Sequence, residues 1–139
     1  MGRAYPCRCS RKDLREASAP HGPEGPIYPG TCRTGDGAVL HGAETDETEV
    51  SWRFRVHDEC VTEFTDLVSG NQKWRLDRLC GDFVIRRRDG LWAYQLACAV
   101  DDALMGVTTV TRGEDLLTST PRQIEILRAL GLPVPGYRH

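Results

Sequence analysis

The 139-residue sequence lacks any apolar run near the roughly 20 residues that a membrane-spanning helix needs, and its N-terminus lacks a signal peptide's hydrophobic segment. It also lacks an excess of positive charge, because 18 Lys and Arg residues stand against 20 Asp and Glu residues. Proteins that bind nucleic acid non-specifically use such an excess to neutralise phosphates, so the composition does not indicate that class. We therefore expect a cytoplasmic protein that does not bind membranes. Our expectation for the oligomeric state is a monomer.

The sequence does contain an ordinary share of core-forming residues, with 40% apolar and 27% charged positions. This composition is typical of a globular domain, and the chain is long enough to bury a core. It also contains six cysteines. Because the cytoplasm is reducing, we expect metal ligands or buried thiols rather than disulfides. Cys60, Cys80 and Cys98 have no partner at ligand spacing, and we interpret them as buried thiols.

The other three cysteines are spaced like metal ligands. Cys7 and Cys9 precede a Pro/Gly-rich connector, residues 19–30, which predicts no regular structure, and Cys32 follows it. Three sulfurs suit a tetrahedral zinc site, and a site with four protein ligands is structural rather than catalytic. The candidates for the fourth ligand are Tyr28, His21 and His41. Chemistry alone favours a histidine, because a phenol with a pKa near 10 must lose its proton to bind well.

The stretch from Asp82 to Gly131 predicts alternating strands and helices. Its β-branched runs indicate strands, its 3.6-residue apolar periodicity indicates helices, and Gly residues indicate their ends. Thr120, Pro121 and Gln123 predict a capping box, followed by an apolar stripe of Ile124, Leu127 and Leu130. The predicted elements are a strand at 83–85, a helix at about 92–105, a strand at 107–112 and a helix from Thr120 to Gly131.

Two polar side chains of this stretch are expected to meet. The helix from Trp92 climbs about 1.5 Å per residue, and the strand to Arg112 returns at about 3.3 Å per residue over a similar distance. Tyr94 and Arg112 should therefore lie at one edge of the sheet, the carboxyl edge at which α/β proteins bind ligands. A guanidinium fork beside a phenol suits a small carboxylate. The alternative is a surface ion pair at Arg112 and a core role for Tyr94.

Three further segments carry simpler predictions. Alternating apolar and polar residues from Val50 to Val56 indicate a half-buried strand, and Ser10 is placed to cap a short helix. Phe64, Leu67 and Val68 indicate another strand or its turn. The basic run at 86–88 has two interpretations, a solvated strand end or an RNA contact.

Several stretches resemble one family over nearly the whole chain: YPCRCSRKDL, YPGTCR, DFVIRR, DGLWAYQLACAVDDALMGVT and RGEDLLTSTPRQI. The sequence resembles the catalytic domain of the class I glutamyl-tRNA synthetases. It is most similar to a short branch without an anticodon-binding domain. The resemblance implies ATP-dependent activation of glutamate, with Mg²⁺, and transfer of the glutamyl group to queuosine in the anticodon of tRNA(Asp).

The resemblance also implies a fold and site residues. The fold class is α/β, the later half of a Rossmann-type nucleotide-binding fold at 76–139, preceded by a zinc-bearing, tRNA-contacting insertion at 1–75. The family's zinc motif, Cys-x-Cys followed by Tyr-x-x-x-Cys, matches Cys7, Cys9, Tyr28 and Cys32. That match favours Tyr28 as the fourth ligand. Tyr94 and Arg112 are the expected glutamate-binding residues.

Two ATP-binding signatures of the class, His-Ile-Gly-His and Lys-Met-Ser-Lys-Ser, do not occur in these 139 residues. We therefore expect an internal piece of a longer protein, a truncated reading frame or a start site assigned too late. In each case the chain should bind zinc, hold glutamate weakly and have no catalytic residues of its own. Three alternatives are a piece of a glutamyl-tRNA synthetase, a non-catalytic zinc module that contacts RNA, and a non-functional remnant that folds poorly. The second should be net basic, whereas this chain carries a formal charge of −2.

Overall fold

The structure, a computed structural model, describes residues 2–16, 21–23, 25–33 and 50–139. Within these ranges the chain forms short strands and helices, which alternate from residue 83 onward. The strands are β1 (Ala4–Cys7), β2 (His21–Gly22), β3 (Gly25–Pro26), β4 (Ser51–Phe54), β5 (Val61–Asp66), β6 (Gly70–Arg75), β7 (Phe83–Arg86), β8 (Thr109–Thr111) and β9 (Gly136–Arg138). The helices are α1 (Arg11–Glu16), α2 (Leu76–Leu79), α3 (Tyr94–Leu104) and α4 (Thr120–Leu130), with a 3-10 helix at Glu114–Ser119.

The chain divides into two compact units, and the first comprises Met1–Cys60 and Asp77–Ala93. Its main sheet is antiparallel, in the order β1-β4-β7. The sheet forms because β1 alternates between half-buried and buried residues and β4 buries three of its four residues, with Phe54 stacked on Phe83 at a centroid distance of 5.2 Å. A second cluster of buried side chains joins Tyr5, Cys7 and Tyr28. This unit carries the predicted metal ligands.

The second unit comprises Val61–Leu76 and Tyr94–His139. Its sheet is mixed, in the order β6-β5-β9-β8, with β5 antiparallel to β6 and parallel to β9, which in turn is parallel to β8. Helix α4 packs against β5 and α3. Ile124 and Leu127 are fully buried in this core, and Tyr137 packs edge-on to Phe64. The carboxyl ends of β5, β9 and β8 therefore lie along one edge.

The predicted α/β class is confirmed by these elements. The strand beginning at Phe83, the helix over about 92–105 and the helix from Thr120 are present, with ends that differ by up to two residues. The predicted strand at 107–112 is paired only over β8, and the strand at Val50–Val56 over β4. Ser10 accepts a hydrogen bond from the N–H of Asp13 and so caps α1.

Three predictions about local structure are wrong. Residues 19–30 contain a two-residue ladder, β2 with β3, because Gly25 adopts a φ of +118° that lets the chain turn back. Leu130 is 55% exposed, because the buried part of α4 ends at Leu127. Cys60, Cys80 and Cys98 are only half-buried.

The division of the chain at residue 75 follows the functional regions of the family and stays a prediction. Each unit takes segments from both sides of that residue, because β5 and β6 pair with the sheet that contains β8 and β9. Pairing between distant strands, rather than position along the chain, sets these units. None of the helices in the described ranges has the length and hydrophobicity of a membrane-spanning segment.

Candidate functional site

A cluster of polar side chains lies at the carboxyl edge of the three parallel strands in the second unit. Asp66 ends β5, His139 follows β9 and Arg112 follows β8. The edge is held in register by the backbone, since the N–H of Arg112 donates to the carbonyl of Arg138 at 3.0 Å. Ligands of open α/β sheets bind outside this kind of edge.

Arg112 is held by side chains on three sides. Its Nε donates to His139 Nε2 at 3.0 Å and its Nη1 to Gln123 Oε1 at 2.9 Å, while Nη2 donates to Thr120 Oγ1. A guanidinium has five N–H donors, and a fourth is used by Tyr94, so about one has no partner among the described residues. Gln123 Nε2 is also buried beside it, without a hydrogen-bond partner among the described residues. The cluster therefore offers free donors from a fixed frame, which suits an anionic ligand.

Asp66 and His139 form a buried pair that contacts Arg112 on the side away from solvent. Both side chains are fully buried, and His139 Nδ1 lies 2.7 Å from Asp66 Oδ2. Because the Nε of Arg112 can only donate, His139 Nε2 accepts, and the ring hydrogen sits on Nδ1 facing Asp66. Burial acts to raise the pKa of Asp66, but N–H donors from Ser69, His139 and Val68 outweigh it and hold the pKa well below its usual range.

Tyr94 stands at the first turn of α3, next to Arg112. The two side chains are hydrogen-bonded. Burial raises the pKa of the Tyr94 phenol, as does a hydrogen bond with Cys98, while Arg112 acts to lower it. Tyr94 is 49% exposed, so a ligand can reach the phenol from solvent. The structure thus brings together the two residues that the sequence placed at one edge.

The three predicted sulfur ligands also come together, in the first unit. Cys7 ends β1, Cys9 lies just before α1, and Cys32 lies in a turn closed by the N–H of Arg33 and the carbonyl of Gly30 at 2.7 Å. Their sulfur atoms lie within 4.8 Å of one another. The Tyr28 hydroxyl is 3.4 Å from Cys7 Sγ and 3.7 Å from Cys9 Sγ.

These distances fit a tetrahedral zinc ion. Zinc–sulfur bonds of about 2.3 Å separate two ligand sulfurs by about 3.8 Å. Cys9 Sγ and Cys32 Sγ are 3.6 Å apart, and the two sulfur–hydroxyl distances are close to the same value. The backbone N–H of Cys32 donates to the Tyr28 oxygen at 2.9 Å, which favours the charged form of the phenol. The donor set therefore fits the ion, with Tyr28 as fourth member. The side chain of His21 is not described, and His41 lies outside the described residues.

The protonation of this cluster reflects its crowding. Burial raises the pKa of Cys9 to about 11, although a hydrogen bond with Tyr28 opposes the change. Burial also acts to raise the pKa of Cys32, but hydrogen bonds from Tyr28 and the backbone of Arg8 outweigh it and lower the pKa to about 7. The pKa of Tyr28 is raised by burial and by the neighbouring thiols. A bound dication would lower the pKa of each of these ligands, because it favours their anionic forms.

The basic run at 86–88 matches a solvated strand end with local partners. Arg87 pairs with Asp89, two positions further on, at 2.5 Å, and Arg86 lies over the Trp92 ring at 5.6 Å from its centroid. Arg88 donates to the backbone carbonyl of Arg8. These contacts do not test an RNA contact.

Four residues of the carboxyl-edge cluster were not predicted as site residues: Asp66, Thr120, Gln123 and His139. Thr120 and Gln123 were assigned to a capping box, which is wrong, because both oxygens accept from Arg112 and α4 has no side-chain cap. The 3-10 helix runs directly into α4, so the N–H of Thr120 bonds to the carbonyl of Leu117. The sequence signal for Asp66 was its place between Phe64 and the turn at Ser69-Gly70.

Comparison with known proteins gives the family of the chain. Residues 1–139 match the family of tRNA synthetases class I (E and Q), catalytic domain. The chain is 55% identical to glutamyl-Q tRNA(Asp) synthetase of Symbiobacterium thermophilum and 54% identical to that of Geobacter sulfurreducens, with 99% of this chain covered in each case. It spans 43% and 42% of those relatives, less than half of their length.

The same fold occurs in solved structures. A glutamate tRNA ligase from Elizabethkingia meningosepticum, in complex with its amino acid, superimposes with a TM-score of 0.74 at 19% identity, covering 100% of this chain and 29% of that one. Glutamate-tRNA synthetase from Elizabethkingia anophelis gives 0.72 at 20% identity, covering 99% and 29%. Such identities support the fold alone. Since the family match spans the whole chain, the protein belongs to the class I tRNA synthetases of the E and Q type, a family of ligases.

Proposed function

We propose that Arg112 and Tyr94 bind a carboxylate of glutamate as part of a tRNA-dependent, glutamyl-transferring ligase. The observation that carries the proposal is the guanidinium of Arg112, held at the carboxyl edge with the Tyr94 phenol hydrogen-bonded to it and about one N–H donor unused among the described residues. ATP with Mg²⁺ is the proposed second substrate, and queuosine of tRNA(Asp) the proposed acceptor. We base the proposed acceptor on the names of the relatives, which are 55% and 54% identical to this chain.

The proposed chemistry is adenylation followed by transfer. An oxygen of the glutamate α-carboxylate attacks the α-phosphorus of ATP, and pyrophosphate leaves. The acceptor hydroxyl then displaces AMP from the glutamyl adenylate. In this scheme Arg112 and Tyr94 hold and orient glutamate, which lowers the barrier by positioning rather than by acid–base work. The frame of His139, Gln123 and Thr120 keeps Arg112 in one rotamer, so little conformational entropy is lost when glutamate binds.

We further propose a structural zinc site at Cys7, Cys9, Tyr28 and Cys32. Zinc there would tie the end of β1 to the turn at 30–33. Four protein ligands fill a tetrahedral shell, so the site has no open position for a catalytic water. The spacing of the sulfur atoms and the Tyr28 hydroxyl supports this assignment. The insertion at 1–75 in the predicted domain division is the region that contains this site.

The glutamate assignment is tested by titrating the isotope-labelled chain with L-glutamate and following its backbone NMR signals. We expect shifts around residues 94, 112, 120 and 123. Arg112→Lys keeps the charge but loses the planar fork, so the affinity should fall at least about tenfold, or about 1.4 kcal/mol. Arg138→Lys, an exposed residue of β9, is the matched control and should bind like the wild type. Equal affinity of Arg112→Lys and the wild type would contradict the proposal.

Two amides of glutamate identify which carboxylate is bound. L-glutamine retains the α-carboxylate, whereas isoglutamine retains the side-chain carboxylate. The amide that still shifts the signals of Tyr94 and Arg112 keeps the carboxylate that these residues hold. The acceptor is tested separately, with the complete reading frame expressed as one protein. Transfer of labelled glutamate to tRNA(Asp) that contains queuosine, and not to the same tRNA with guanosine, is the expected result.

A further inference from the structure

Arg53 lies across two of the four proposed zinc ligands. It belongs to β4, opposite Tyr5 of β1, and only 6% of it is exposed. Its Nε lies 3.2 Å from Cys7 Sγ, and its guanidinium carbon lies 3.8 Å above the centroid of the Tyr28 ring. One side chain thus contacts a sulfur ligand and the face of the phenol.

We propose that Arg53 is a positioning residue of the metal site, whose charge and N–H···S hydrogen bond strengthen metal binding. The proposal rests on the zinc site proposed above. A Zn²⁺ ion compensates only two of the four negative charges on three thiolates and a phenolate. The guanidinium of Arg53 supplies a third positive charge inside the same buried cluster.

The residues around Arg53 indicate that its negatively charged partner is the proposed set of metal ligands. A buried cation is costly unless it is paired. Among the described residues no carboxylate forms an ion pair with Arg53, and its Nη1 donates to the backbone carbonyl of Asp82 at 2.9 Å. The carboxylate of Asp82 is used elsewhere, by Tyr5, Arg33 and the N–H of Val56. The anionic partner that fits Arg53 is therefore the metal-bound set of Cys7 and Tyr28.

The contacts also explain why the residue is an arginine. A guanidinium stays charged when buried and is planar, so it can lie flat on an aromatic ring while its edge donates to a neighbour. Both contacts occur here, on Tyr28 and Cys7. The stacked guanidinium thus holds the plane of the Tyr28 ring beside the sulfur ligands.

The test measures metal affinity with zinc and a competing chromophoric chelator. Arg53→Met removes the charge and the fork, and Arg53→Lys keeps only the charge. We expect Arg53→Met to lose roughly 10–100-fold in zinc affinity, as outer-shell substitutions at metal sites do, with a smaller loss for Arg53→Lys. Arg87→Met is the control, because it removes an exposed positive charge of the same unit that does not touch the cluster. It should bind zinc like the wild type.

Cobalt provides a readout that a purely structural role would not change. With Co²⁺ in place of zinc, loss of the N–H···S bond makes the Cys7 thiolate easier to oxidise, so the thiolate-to-cobalt charge-transfer band should move to lower energy in both variants. Wild-type affinity in both variants, with unmoved bands, would overturn the proposal. So would failure of both variants to fold in excess zinc while Cys7→Ala folds. If the wild type itself binds neither metal, the zinc site fails first, and this inference fails with it.

Discussion

At the scale of single residues, the carboxyl-edge cluster depends on a buried pair that touches no proposed ligand. Asp66 accepts hydrogen bonds from the backbone N–H groups of Val68, Ser69 and His139 and faces the His139 ring. His139 in turn accepts from Arg112. The buried carboxylate of Asp66 thus fixes His139, and His139 fixes the orientation of the Arg112 guanidinium. Residues behind a binding site commonly orient the groups that contact the ligand in this way.

We expect Asp66→Asn to destabilise the chain by about 2–3 kcal/mol at pH 7, because the amide cannot accept all of these hydrogen bonds and loses the charge. The pH dependence has a definite sign. The pKa of Asp66 is lower in the folded state than in the unfolded state, where it is about 4. Its contribution is therefore present above about pH 4 and is lost as the pH falls below that value.

Urea unfolding between pH 3 and pH 7 measures this effect. The difference in unfolding free energy between the wild type and Asp66→Asn should shrink at the acid end. Asp101→Asn, at an exposed position of α3, is the control and should show a small, flat difference. A difference that stays constant for Asp66→Asn down to pH 3 would show that its carboxylate is not specially stabilised in the folded state.

At the scale of elements, helix α4 shows how tertiary contacts override a local motif. The sequence Thr120-Pro121-Arg122-Gln123 has the pattern of a capping box. Both side chains that would form the box instead accept from Arg112, and the preceding 3-10 helix satisfies the first N–H. The C-terminal signal behaves as expected, because Gly131 adopts the left-handed conformation with φ +66°.

Gly131→Ala should lower the unfolding free energy by about 1 kcal/mol, because a Cβ disfavours the left-handed conformation. Among the described residues, no atom outside Gly131 and its chain neighbours lies within 4 Å of an added Cβ, so steric overlap with other residues adds nothing to the cost. Gly131→Asn is the matched variant, since asparagine tolerates the conformation better, and it should cost less. Thermal unfolding of the two variants compares them directly. Equal losses of unfolding free energy in the two variants would contradict the assignment of the effect to the left-handed backbone conformation.

At the scale of the whole molecule, the chain matches the catalytic-domain family over all 139 residues yet spans less than half of its curated relatives. The two described clusters have different chemistry. One is a set of donors at a sheet edge, and the other is a set of soft ligands around a tight turn. The class binds the phosphates of ATP with two signature motifs, and the sequence contains neither of them. The two clusters do not replace those motifs.

We therefore expect no glutamate-dependent exchange between ATP and labelled pyrophosphate with the purified 139-residue chain. Positioning and charge stabilisation of the phosphates supply most of the rate in such reactions, and the groups for them are missing here. A relative that carries both signatures serves as the positive control in the same assay. An exchange signal above the enzyme-free background that depends on glutamate would refute this expectation.

Sequence alone determined the local elements and the spacing of reactive groups. The strand at Phe83, helix α3 and helix α4 depend on neighbours within about four residues, which a linear pattern records. The spacing of the three thiols is visible in the sequence itself. The proximity of Arg112 to Tyr94 follows from the known rise per residue of the helix and strand between them.

Only the tertiary structure decided which distant groups complete each cluster. Asp66 and His139 are 73 positions apart, and Arg53 is 46 positions from Cys7. Strand pairing brings them together: β9 lies between β5 and β8, and β4 lies beside β1. The short, mostly polar strands β6 and β9 carry little apolar pattern of their own, so their partners in the sheet, rather than their residues, define them.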